Sequence, residues 1–341
     1  MKTIAAFLLA SSLTLSAAAF TERDVTVVNC RDGVTLAGTL TAPDSLSPRA
    51  AIVLASGSGP QNRDEEVAGH RPFKTLAEYL AGRGYAVLRL DDRGVGASSG
   101  NSSKSTTDNL ARDMSAAIAV LDSLYSGTPA GIIGHSEGGI TAVRCANADS
   151  LCRFIVTLAA PAWSGDSIIM SQTRALAVAL TGRWDEETTQ RRLLDIVASP
   201  TSDAIAAALI RNEMSAKLGD AARLPQVANQ LNATVAVMTS PAYRSIVRYN
   251  PEADMRRVAV PWFALNGSRD TQVLPANLAT IRVYNPAAET LLVEDHNHLF
   301  QPCTTGLVDE YATIDGDISA EVLEAVAAWL DRISAKPNPQ P

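Results

Sequence analysis

An α/β fold, with a mostly parallel central sheet flanked by helices and a helical cap inserted into it, is what this sequence predicts, on three observations. Short apolar runs at residues 50–55, 86–90 and 154–158 have the unbroken hydrophobicity of strands buried on both faces. Helix-period segments at 73–81 and 107–124 lie between the first two of these runs and after the second, which implies parallel pairing through right-handed crossovers. The alternation lapses from about Ser164 to Asp254 and then resumes, as it would if a helical insertion interrupted one sheet.

In order along the chain, β-like runs at 24–30 and 34–41 are joined by Arg31-Asp32-Gly33, an Asp-Gly hairpin signal. The strand at 50–55 ends in Ser56-Gly57-Ser58-Gly59-Pro60, a loop, and the helix at 73–81 is stopped by glycines within 82–84. The strand at 86–90 runs into Asp91-Asp92-Arg93-Gly94-Val95-Gly96, and the amphipathic segment 107–124 follows. A strand at 131–134, a helix to about 148 and a strand at 154–158 complete the first part of the core, residues 20–163. The insertion, residues 164–256, reads as helices at 168–180, 187–197, 202–217 and 224–232. The second part, residues 257–335, holds strands at 258–265 and 289–293 and helices at 275–283 and 320–333; residues 336–341 read as a disordered tail.

Composition narrows the function classes. With 341 residues, 46% of them hydrophobic, the chain buries a large core. A net charge of −7 and no clustered Lys or Arg argue against nucleic acid or an anionic membrane as the main partner. Met1-Lys2, an apolar run over 4–15 and Ala17-Ala18-Ala19 read as a bacterial-type signal peptide over residues 1–19, so the mature protein is expected to be exported, periplasmic or secreted. The four cysteines are Cys30, Cys145, Cys152 and Cys303. A turn at 147–150 would bring Cys145 and Cys152 together as a disulfide; buried free thiols are the alternative. No Cys-x-x-Cys or His-Glu-x-x-His spacing supports a zinc site, and no metal or organic cofactor is expected.

The chemistry centres on Gly134-His135-Ser136-Glu137-Gly138, a Gly-x-Ser-x-Gly turn between an apolar strand and a helix. Such a turn exposes its serine in a strained conformation, and the glycines two residues to either side let strand and helix close together. A serine nucleophile needs a base and an acid to orient that base. Of four histidines, His135 neighbours the serine and should point elsewhere, and His70 opens an early helix. In the chain order serine, acid, histidine, His296 and His298 remain. Asp270 follows the strand ending at Leu265 and is the leading acid; Glu294 and Asp295 would have to fold back onto the histidines. Oxyanion amides are expected from Glu137, at the start of its helix, and from Ser58 in the glycine loop.

Taken together, these motifs resemble the α/β-hydrolase superfamily, in the serine esterase group that includes prolyl-oligopeptidase-like and serine aminopeptidase-like sequences. The elbow, the Ser58 loop, the Asp91–Gly96 strand end, Asn266-Gly267 through Asp270, and Asn297-His298-Leu299-Phe300-Gln301 are similar to that group's motifs, in the same order. The last of them selects His298 over His296. One position departs from the group: Ser56 stands where histidine is common. Arg63-Asp64 also resembles a family feature and reads as bracing of the active-site edge. The resemblance implies an α/β-hydrolase fold and hydrolysis of small-molecule carboxylic esters through Ser136, His298 and Asp270. The alternatives are a peptidase or amidase with the same triad, and a noncatalytic binding module on the same fold.

Overall fold

The computed structural model describes residues 19–44 and 47–335. The expected signal peptide, apart from Ala19, and the 336–341 tail lie outside these residues. Eight strands form one sheet in the order β1-β2-β4-β3-β5-β6-β7-β8. They are β1 (Phe20–Asn29), β2 (Val34–Pro43), β3 (Ala51–Ala55), β4 (Ala86–Leu90), β5 (Ala130–His135), β6 (Cys152–Leu158), β7 (Trp262–Gly267) and β8 (Glu289–Val293). The first two pair as the antiparallel hairpin read from Asp32-Gly33, and β2 is antiparallel to β4. Every pairing from β4 through β3, β5, β6 and β7 to β8 is parallel.

The strand period explains the two-sided core. Ala51, Val53 and Ala55 of β3 face one apolar cluster while Ile52 and Leu54 face the other. The first cluster is closed by α2 (Thr107–Leu124), α3 (Glu137–Ala148) and α10 (Ala276–Tyr284), through residues such as Ile118, Val143 and Ile281. The second is closed by α1 (Pro72–Ala81) and α11 (Ala320–Ser334), through Leu76, Leu80, Val326 and Trp329. Each such fully buried aliphatic side chain stabilises the fold by about 1.5–3 kcal/mol. Helix α2 begins where the sequence places it because Thr106 and Asn109 form a reciprocal capping box.

Between β6 and β7 the chain builds α4 (Gly165–Thr181), α5 (Glu187–Ala198), α6 (Asp203–Leu218), α7 (Pro225–Met238) and α8 (Pro241–Arg248). These helices have an apolar core of their own around Leu194, Val197, Ile210 and Val235. A sixth helix, α9 (Glu252–Arg257), inserts Met255 into the sheet's core instead. Helices α8 and α9 are additions to the sequence reading. Both are short, at eight and six residues.

All four cysteines are free thiols. The turn does bring Cys145 and Cys152 together as hydrogen-bonding neighbours, but they are not bridged; Cys145 also lies 3.3 Å from Ser115 Oγ, and Cys152 donates to the Phe154 carbonyl at 3.6 Å. Among the described residues no helix is long and apolar enough to cross a membrane.

Candidate active site

Ser136 stands between β5 and α3 with φ 53° and ψ −119°, a left-handed backbone that a non-glycine residue adopts only when its surroundings enforce it. The enforcement is visible on both sides. Its N–H donates to the Leu158 carbonyl at 2.8 Å, and its own carbonyl accepts the Gly139 N–H at 2.9 Å. A Cβ on Gly134 would overlap the Gly138 carbonyl oxygen, and one on Gly138 would overlap the Ala55 carbonyl oxygen. Only glycine permits this crossing of strand and helix, as the motif required.

Two loops at the same sheet edge bring the other candidates together. After β7, Asp270 is almost wholly buried; its Oδ1 accepts the N–H groups of Gln272 and Val273, both at 2.8 Å. Its Oδ2 lies 2.8 Å from Nδ1 of His298, which is also buried. The histidine sits in a tight turn held by Asn297, whose Oδ1 accepts the N–H groups of Leu299 and Gln301 at 2.9 and 3.0 Å. With Nδ1–H directed at Asp270, His298 Nε2 is left as an acceptor. No hydrogen bond joins Ser136 Oγ to that ring among the described residues; such bonds are commonly long until a substrate draws the groups together.

The other histidines have separate partners. His70 sits between the Tyr311 carbonyl and Asp317, and His296 Nδ1 meets the Glu294 carbonyl at 2.6 Å. Of the weaker acid candidates, Asp295 is taken by Arg269 at 2.7 Å. Arg63 grips Asp91 through two bonds of 3.1 and 2.7 Å, and Asp64 pairs with Arg89, so the two residues tie the glycine loop to β4.

In that loop the Gly57 N–H is committed to Glu65 Oε1 at 2.6 Å. The amides of Ser58 and Glu137 take part in no turn or loop hydrogen bond among the described residues. The surroundings are acidic. Burial raises the carboxyl of Glu137 above the usual range, with Ser58 as its hydrogen-bonding neighbour. Burial likewise pushes Asp92 up to about 7, against hydrogen bonds from Gln61 and Ser56 and with help from nearby Glu65 and Glu137. Gly57, Ser58 and Glu137 form one wall of a cavity of about 510 Å³ whose opposite wall is Val237, Tyr243 and Ile246 of α7 and α8. A second, more open cavity of about 920 Å³ lies between Trp163, Met170 and Trp184 on one side and Thr271 and Leu307 on the other.

Sequence reasoning missed Glu65, Asp92 and the partners of His135. The available signal was a histidine inside a buried elbow, where two ring nitrogens have to be satisfied. His135 meets Glu65 Oε1 at 2.9 Å and the carbonyl of His298 at 3.0 Å.

Comparison with known proteins bears on the same residues. A family model described as serine aminopeptidase, S33 (Hydrolase_4), matches residues 47–291. The esterase EstD of Thermotoga maritima is 27% identical over 157 residues, 46% of this chain and 36% of that protein, so the match spans well under half of the relative. Among solved structures, the Pyrococcus furiosus esterase PF2001 superposes with TM-score 0.58 at 18% identity, covering 92% of this chain and 91% of that one. The α/β-hydrolase GrgF from a Penicillium species (sp. sh18) gives TM-score 0.60 at 15% identity over 93% of this chain and all of the other. At these identities the structures speak for the fold alone. The family match runs from before the glycine loop to within β8 and takes in both Ser136 and Asp270: the chain belongs to the serine aminopeptidase S33 family of α/β-hydrolases.

Proposed function

We propose that this protein hydrolyses small carboxylic esters by a two-step acyl-enzyme mechanism, with Ser136 as nucleophile, His298 as general base and acid, and Asp270 as the group that orients His298. In acylation Ser136 Oγ bonds to the ester carbonyl carbon while its proton passes to His298 Nε2. The C–O bond to the alcohol then breaks, and the same proton goes to the departing oxygen. Water repeats the sequence and releases the acid. The Ser58 and Glu137 amides donate to the carbonyl oxygen as it becomes negative. The observation that carries this reading is the buried Asp270–His298 hydrogen bond on loops at the sheet edge that also bears a strained Ser136. The name of the T. maritima relative, an esterase, supports it.

The apolar wall of the cavity beside the Ser58 loop favours uncharged acyl groups of small to medium length. The N-terminal composition supports export to the periplasm or beyond.

The test is hydrolysis of nitrophenyl esters of increasing acyl length by the parent and by Ser136→Ala. Activity that peaks at one length and vanishes in the variant is the expected result; equal rates in the two proteins would overturn the proposal. The family description itself favours a second reading, a peptidase acting on aminoacyl amides. Aminoacyl-arylamides cleaved faster than the matched esters would establish that reading instead.

A further inference from the structure

Three segments far apart in sequence must keep register for the proposed chemistry: the Ser56–Pro60 loop, the elbow and the His298 loop. One buried pair touches all three. Glu65 Oε1 accepts the Gly57 N–H at 2.6 Å and meets His135 Nδ1 at 2.9 Å, while His135 Nε2 meets the His298 carbonyl at 3.0 Å. Glu65 is 2% exposed and His135 6%. Packing is as close as the bonding. A Cβ on Gly57 would lie 3.0 Å from Glu65 Oε1 and 3.4 Å from Ser136 Cβ, and the rings of His135 and His298 are 4.6 Å apart.

A carbonyl oxygen only accepts, so His135 Nε2 carries a proton and donates to His298. Glu65 Oε1 accepts the Gly57 N–H and shares a proton with Nδ1, and where that proton sits on the ring, His135 is an imidazolium. Burial opposes that charge, but the Glu65 carboxylate outweighs it, and the ring is held above the ordinary histidine range. Glu65 itself has left-handed backbone, φ 52°, and its second oxygen is buried without a partner among the described residues. Strain and an orphaned acceptor cost stability, and features that do so gather where geometry serves function.

We propose that Glu65 and His135 are paired positioning residues that set the Ser58 loop, the nucleophile elbow and the His298 loop at a common spacing. This rests on the reading of Ser136 as nucleophile and His298 as base. Neither residue takes a proton from substrate; they hold the groups that do. Displacing a catalytic group by about 1 Å costs on the order of a hundredfold in rate. The effect belongs in kcat, because neither residue faces the apolar walls that bind an acyl chain.

The experiment compares the parent, Ser136→Ala, Glu65→Ala, His135→Ala, the double alanine variant, and the shape-preserving Glu65→Gln and His135→Gln. Active sites are counted by stoichiometric fluorophosphonate labelling, and kcat and KM for a nitrophenyl ester are expressed per labelled site. Counting sites separates turnover from the fraction folded, so a merely structural role would lower the number of sites and leave their kcat alone. The expected result is a loss in kcat per site of on the order of a hundredfold in each alanine variant, with KM within about threefold. The double variant loses no more than the worse single, because both act as one unit. His135→Gln, whose amide still donates to the His298 carbonyl, recovers about tenfold over alanine, a partial rescue set by that bond's energy. If the alanine variants do not fold, the two glutamine variants decide by the same readouts. Folded variants with kcat per site within about threefold of the parent, or losses that multiply in the double variant, would overturn the proposal. A parent whose activity does not depend on Ser136 would overturn the functional reading beneath it, an outcome distinguishable from the first.

Discussion

Asp270 divides its two carboxylate oxygens between its own backbone and His298: one accepts the Gln272 and Val273 amides, and the other lies 2.8 Å from His298 Nδ1. The first set fixes the carboxylate, so the second can fix the ring tautomer. Asp270→Asn keeps an acceptor for the two amides but presents an N–H toward His298, favouring the tautomer whose Nε2 cannot act as a base. The expected outcome is a kcat about 10³–10⁴-fold below the parent, with little change in unfolding temperature. Ester hydrolysis beside thermal unfolding of the same preparation checks it. A variant that is folded and within tenfold of the parent would remove Asp270 from the triad.

The elbow gives a stability contrast within one residue type. Gly138 faces the Ala55 and Ser56 carbonyl oxygens at distances no Cβ tolerates, and both belong to the backbone, which does not yield as a side-chain tip does. Gly138→Ala should therefore destabilise by more than about 3 kcal/mol or prevent folding. At Gly182, the left-handed cap of α4 at φ 74°, an added methyl would meet nothing within 4 Å, so Gly182→Ala carries backbone strain alone, about 1–2 kcal/mol. Denaturant unfolding of the two variants measures the difference. Equal losses would show that the elbow relaxes where its packing says it cannot.

How much of this was legible in the sequence follows from how local each signal is. The strands β3 to β6 stand within one or two residues of their apolar runs, because a strand buried on both faces is apolar at nearly every position, with Arg89 in β4 and Arg153 and Thr157 in β6 as exceptions. Ser136, Asp270 and His298 could be nominated from the sequence because each lies in a motif that encodes its own turn, and the structure places Asp270 and His298 2.8 Å apart. The strand at 258–265 begins later than its apolar run, at Trp262, since Pro261 cannot donate into a parallel ladder. Glu65 and Asp92 were not legible. Each sits in or beside a motif the sequence marks, Asp91–Gly96 and Arg63-Asp64, but their partners come from burial against other loops, as when Asp92 accepts the Gln61 N–H at 2.9 Å, and the motif does not say which.

Asp92 makes stability depend on pH. Its folded-state value is raised from 3.8 to about 7, chiefly by burial. Below about 3.8 the carboxyl is protonated whether the chain is folded or not, and it contributes nothing. Between 3.8 and about 7 the unfolded chain ionises it while the folded chain keeps the proton, so stability falls as pH rises; above about 7 the penalty is constant. A rise from 3.8 to about 7 sets a ceiling of roughly 4 kcal/mol. Asp92→Asn should be more stable than the parent at pH 8 and indistinguishable near pH 4, as read from chemical denaturation at the two values. A parent advantage at pH 8 would mean that the ionised carboxylate is stabilised by its bonds to Ser56 and Gln61.

Two arginines of α8 fasten it to the neighbouring helices: Arg248 donates to the Ala198 and Ser199 carbonyls, and Arg244 makes the larger set. Arg244 of α8 is 3% exposed, and its guanidinium donates to the carbonyls of Val197, Ser199 and Thr201 at 3.1, 2.7 and 3.0 Å and pairs with Asp203 at 2.5 Å. It thereby ties α8 to the connection between α5 and α6. Tyr243 and Ile246 of the same helix line the cavity facing Ser58 and Glu137, so the register of α8 sets the depth of that cavity. Arg244→Met removes the donors while keeping much of the stem's apolar bulk, leaving the Val197 and Thr201 carbonyls without their charged partner at about 1–3 kcal/mol each, less whatever water recovers, while Ser199 keeps Arg248. Because the cap has its own apolar core, the loss should appear as local opening while the sheet stays folded. The variant should show faster proteolysis between α5 and α6 and an acyl-length optimum shifted or flattened through KM, with kcat for the shortest ester within about threefold of the parent. An unchanged length profile in a variant that proteases open readily would mean that α8 does not bound the acyl site.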